Sequence, residues 1–162
     1  MNKNIIILAD SRQQKDIHIT DYFDSINLQW QRATLNTGDY MAIRYNESKG
    51  IYLDYSIIID TKKDIEEIAG NLCKTTEHER IKREIARAKE LGNNRFIFLI
   101  ADSTISCIDD LINWHSIRTQ VKGETLAKIM KTMQERYGCE FLFCKKLSMG
   151  KQITTFLTNN NE

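Results

Sequence analysis

An unbroken apolar run, Ile5 to Ala9, opens the legible pattern and meets Asp10 at once. So short a run, rich in β-branched residues, reads as a buried strand rather than a leader segment. Residues 20–26 predict a helix with Thr20 as its N-cap, and the loose alternation over 30–35 predicts a second strand. Gly38 and Asp39 form a turn into a strand over 40–45, and residues 46–50 are a polar turn. Residues 51–53 and 56–59 are further strand material, the second stretch β-branched and apolar. The early strands are expected to be antiparallel neighbours.

Then the period changes. Ile65, Ile68 and Leu72 fall three and four apart, which predicts a helix over 63–73. Ile81, Ile85 and Ala88 give one face of a helix over 77–91, with Gly92 placed to end it. Residues 95–100 (RFIFLI) predict a strand and 109–114 a short helix. Leu126, Met130, Met133 and Tyr137 make an apolar stripe over three turns, closed by Gly138. A strand over 140–144 and a short helix over 151–157 complete the order. Strands first cluster and then alternate with helices, so the expectation is an α/β fold with a mixed central β-sheet flanked by helices.

With 162 residues and no proline, repeat or linker, the chain reads as one domain over 1–158 with a tail over 159–162. No apolar run approaches the ~20 residues that span a bilayer. Four cysteines without a CxxC pair, and three scattered histidines, argue against structural zinc. Without a secretion signal they read as reduced thiols, and the expected location is cytoplasmic. The net charge is +1, but residues 114–151 carry eight Lys or Arg against three acids. Such a segment is either a polyanion footprint or a solvated helix face, and on charge alone the solvated face is favoured.

The informative chemistry is Gly38-Asp39-Tyr40 followed, after an Ile-rich strand, by Asp60-Thr61-Lys62. Asp60 and Lys62 are one residue apart on a strand, so both project to the same side of the sheet. A hairpin brings Asp39 beside them. Two neighbouring carboxylates suit Mg²⁺, which can polarise a phosphodiester and activate a water, and Lys62 can stabilise the phosphate's developing charge. The alternative is a turn aspartate plus a solvated strand end. Arg80, Arg83 and Arg87 share a helix face and either track phosphates or pair with Glu77, Glu79, Glu84 and Glu90. Lys128 and Lys131 share a face opposite the apolar stripe.

Taken together, these motifs resemble the XPF-type (ERCC4-like) nuclease domain of the PD-(D/E)XK superfamily. Asp10-Ser11-Arg12-Gln13 stands where those domains have Asp-x-Arg-Glu, and Gly38-Asp39-Tyr40 matches their Gly-Asp-Tyr. Asp60-Thr61-Lys62 stands at their Glu-Arg-Lys, with Glu66 at a further acidic position. The later helices and strands follow in the same order over nearly the whole chain. The resemblance implies a restriction-endonuclease-like core and a DNA endonuclease dependent on Mg²⁺ or Mn²⁺, acting on flaps, forks or junctions. It implies Asp39, Asp60 and Lys62 as catalytic residues, with Asp39, Asp60 and Asp10 at the metal. It implies a phosphate or scaffold contact at Arg12 and a phosphate contact at Arg80, beside the candidate cations Arg83, Arg87, Lys128 and Lys131. It also implies a stand-alone domain without a helix-hairpin-helix module, and pairing of two copies through C-terminal elements. Thr61 in place of Arg and Gln13 in place of Glu depart from the pattern. They motivate an alternative, a catalytically degenerate DNA-binding or scaffold subunit of the same fold. A third reading, an interaction protein that does not touch DNA, rests only on the near-zero net charge.

Overall fold

The computed structural model describes residues 5–159. A six-stranded sheet in the order β2-β1-β3-β4-β5-β6 forms the middle layer. The strands are β1 (Ile5–Asp10), β2 (Trp30–Ala33), β3 (Tyr40–Asn46), β4 (Gly50–Lys62), β5 (Arg95–Ala101) and β6 (Cys139–Cys144). The helices are α1 (Ile17–Ser25), α2 (Ile65–Cys73), α3 (Thr75–Glu90), α4 (Gly123–Tyr137) and α5 (Met149–Thr158). The segment expected as a helix over 109–114 is a 3₁₀ turn, Ile108–Asn113.

Alternation along the strands separates two cores. Leu8, Met41, Ile58, Phe96, Phe98 and Phe141 point to one face and pack against α2, α3 and α4. Ile7, Tyr40, Ile59, Ile97 and Leu99 point to the other and pack against α1 and α5. Each fully buried Ile, Leu or Phe contributes about 1.5–3 kcal/mol, so the double-sided burial of β5 anchors the sheet.

Two expectations are corrected. β1 and β2 pair in parallel, not antiparallel, because α1 is the crossover between them. β3 does run antiparallel to both β1 and β4. Thr20 does not cap α1 but lies buried inside it; Asp16 is the N-cap residue, and its carboxylate is engaged elsewhere. The strand material over 51–53 and 56–59 is one strand, β4, with a register shift against β3 between Tyr40 and Ala42. Such a bulge bends the strand and re-aims its end. Past it, residues from Ile57 to Lys62 pair in parallel with β5. α2 is capped by Asp64, which accepts from the Glu67 amide at 2.7 Å.

Candidate functional site

Acidic side chains gather where β1 and β4 end at their carboxyl termini, the usual place for a site in a sheet of this kind. Asp39 sits just before β3 and is tied to both neighbours through its backbone. Its amide donates to the Ile59 carbonyl at 2.8 Å, and its carbonyl accepts from the Asp10 amide at 2.8 Å. The preceding Gly38 has φ +65°, and a Cβ there would collide with the Ile58 side chain and crowd the Ile59 carbonyl. Only glycine lets the turn press this closely on β4.

Asp60 and Lys62 point to the α2–α4 face, as their spacing requires, and both are buried. Lys62 Nζ lies 2.6 Å from Asp60 Oδ1 and 6.0 Å from the centroid of the Phe98 ring. Asp60 Oδ1 has this ion contact but no well-aligned hydrogen bond. Asp39 Oδ2 accepts from the Thr61 amide at 2.7 Å and from Thr61 Oγ1 at 2.9 Å.

The electrostatics follow from this packing. Burial, then the nearby charge of Asp60, pushes the Asp39 carboxyl up to about 7, against the pull of Thr61, Lys62 and Gln13. Burial works against the charge of Lys62, but Asp60 outweighs it with help from Asp39, so the ammonium titrates above its ordinary value. Thr61 and Gln13, the two departures from the family pattern, both hydrogen-bond Asp39 and favour its charged form.

The structure treats the other expected site residues unequally. Asp10 is buried, but Arg12 takes up its carboxylate through Nε and Nη2, the latter at 2.5 Å. Arg12 also donates to the Leu35 carbonyl, which fixes an otherwise exposed guanidinium near Asp39. Glu66 does not join the carboxylates: it accepts from Ser116 Oγ and the Ile117 amide, both at 2.7 Å. Arg80 pairs with Glu77 and Glu84, and Arg87 donates to the Asn36 carbonyl. Arg83 is exposed. Lys128 pairs with Glu124 and Lys131 with Asp109, so neither is committed to Asp39 or Asp60.

Glu84 was hidden from sequence reasoning, which placed it among the solvated partners of the arginine row. From α3 it accepts the Gly38 amide at 2.9 Å. Burial, then the charge of Asp60, raises its pKa. Its signal was position: three residues after Ile81 and one before Ile85, it borders the helix's buried face. Among the described residues, no three His, Cys, Asp or Glu side chains form a ready-made metal cage. The site therefore offers two carboxylates and open positions. Nor is any helix of the described residues long and apolar enough to cross a membrane.

The ERCC4 domain model matches residues 9–157. No curated protein matches the chain at a significant level. Among solved structures the chain is similar to XPF from Aeropyrum pernix, at 15% identity and a TM-score of 0.67. That likeness covers 96% of this chain and 66% of the other, so this chain spans just under two thirds of its length. With the domain model covering all but its ends, and with a restriction-endonuclease-like sheet beneath the Gly-Asp-Tyr and Asp-Thr-Lys motifs, the chain belongs to the ERCC4 domain family.

Proposed function

We propose that this chain is a divalent-metal-dependent DNA endonuclease that hydrolyses phosphodiester bonds in branched DNA such as flaps, forks or junctions. The observation that carries the reading is the buried juxtaposition of Asp39, Asp60 and Lys62 at the end of β4. Two buried carboxylates side by side, with the charge of Asp60 raising the cost of ionising Asp39, suit a small hard cation. Mg²⁺ and Mn²⁺ fit this donor set, because Mg²⁺ binds through one or two carboxylates and keeps waters for a phosphate to displace. Asp39 and Asp60 would hold the ion. When bound, it polarises a phosphodiester oxygen and makes a water a better nucleophile.

The chain's own residues supply the rest. Lys62 places a fixed positive charge in a water-poor site, where it stabilises charge developing on the phosphate. Thr61 orients Asp39 through two hydrogen bonds and keeps its lone pairs aimed. Arg12, clamped by Asp10, presents its guanidinium to a flanking phosphate. Glu84 pins the turn at Gly38 and so sets the height of Asp39 against β4. DNA is the partner in this reading, and a second copy joined through the C-terminal elements is part of it.

The test is cleavage of a labelled panel of duplex, flap, fork, Holliday junction and single strand, with Mg²⁺, Mn²⁺ or EDTA. Metal-dependent cutting that disappears in Asp60→Ala supports the reading. Binding without cutting by the wild type overturns it in favour of the degenerate subunit.

A further inference from the structure

A cavity of about 450 Å³ opens beside the carboxylates, on the α1 and α5 side of the sheet. Its size falls in the range of small-ligand sites. Its floor is apolar: Ile19, Ala101 and Met149 are each nearly or fully buried. Its rim is cationic. Lys15, Lys63 and Lys146 are exposed and make no ion pair among the described residues, and two carboxylates, Asp16 and Glu67, share the lining. Asp16 is held by Arg32 and Tyr40, and Glu67 accepts the Lys63 amide. His18 also lines the cavity, and its Nε2 is buried without a hydrogen-bond partner.

The cavity is joined to the reactive centre. Thr61 lines it and also donates to Asp39, and Lys62 lines it and also contacts Asp60. We infer that this cavity receives a single unpaired nucleotide next to the phosphate being cut. The base lies on the apolar floor beside the His18 ring, and the phosphate sits among the three free lysines. A base pair with both backbones does not fit this volume, so the nucleotide must be out of the duplex. The inference rests on the nuclease reading for the identity of the ligand, and it names what that reading leaves open: where an unpaired strand is recognised.

Thymidine 5′-monophosphate is the probe, followed by NMR of the His18 ring in EDTA, with inorganic phosphate and thymidine alongside. The nucleotide is expected to shift the His18 signals and to bind at least about tenfold more tightly than either fragment. Lys146→Glu and Lys15→Glu, both at exposed positions, are each expected to weaken it about tenfold. Unmoved His18 signals, equal affinity for inorganic phosphate, or full affinity in both variants would each overturn the proposal. Cleavage by the wild type is scored separately. If no cutting occurs but the nucleotide binds as described, the cavity stands and the nuclease reading falls.

Discussion

Two buried acidic centres lie close together in this molecule and are built on opposite principles. Asp16 has a matched partner for each oxygen: Arg32 Nη2 at 2.7 Å on one, Arg32 Nη1 at 2.8 Å and the Tyr40 hydroxyl at 2.6 Å on the other. Burial alone would raise its pKa, but Arg32 and Tyr40 outweigh burial and hold it below the ordinary value. Asp39 and Asp60 face each other's charge, offset in part by Lys62 and by the hydrogen bonds of Thr61 and Gln13 to Asp39. A closed network of the first kind locks the start of α1 to β2 and β3. An open one of the second kind costs stability and is retained for what it can bind.

The largest difference should appear on removing one acid from each centre. Asp60→Ala is expected to lower metal-dependent cleavage by about a thousandfold or more; for the fold, the repulsion it relieves at Asp39 is set against the ion pair it takes from buried Lys62. Cleavage within tenfold of wild type would break the contrast. Asp16→Ala brings no such relief and acts on the fold alone. It strands a half-buried Arg32 and a buried Tyr40 hydroxyl, at a cost of about 3 kcal/mol, read by urea unfolding.

Acidity separates the two centres further. The folded Asp39 carboxyl titrates at about 7, above its ordinary 3.8, so between those values the folded chain holds more protons than the unfolded one. Its contribution therefore lowers stability as pH rises through that window and is flat above it. Asp16, held low when folded, contributes stability above its ordinary value that is lost as pH falls below it. In EDTA, Asp39→Asn should flatten the decline in melting temperature between about pH 5 and 7. Mg²⁺ should raise the wild-type melting temperature near neutral pH, and a variant that declines as steeply as wild type would contradict the assignment. The smallest effect is expected at Thr61→Val, which keeps the amide bond to Asp39 but loses the hydroxyl's. Cleavage should fall about tenfold and recover in Thr61→Ser.

Much of this was legible in the residues. Period two placed Asp60 and Lys62 on one side, and the turn at Gly38 brought Asp39 to the neighbouring strand, as found. The parallel pairing of β1 with β2 was not legible, because the crossover α1 has only nine residues and Asp16 caps it without a side-chain bond. The role of Glu84 was also obscured. Alternating acids and bases at helical spacing look like solvated pairs, and only the packing of α3 against the sheet shows which one turns inward. Lys128 and Lys131 illustrate the opposite case. Their shared face was legible, and they stay on the surface, Lys128 with Glu124 and Lys131 with Asp109.

Asp39 is stitched by its backbone to β1 on one side and β4 on the other, and its turn is pinned by Glu84. Such a centre has no slack with which to follow an ill-fitting substrate. In the proposed nuclease reading the work of bending would fall on the nucleic acid, whose stiffness would then act as the filter. A continuous duplex resists a sharp kink, whereas a nick, fork or flap has already lost the stacking that opposes it. On that reading, selection among DNA shapes would be a mechanical property of the substrate, measured against an anvil that does not yield.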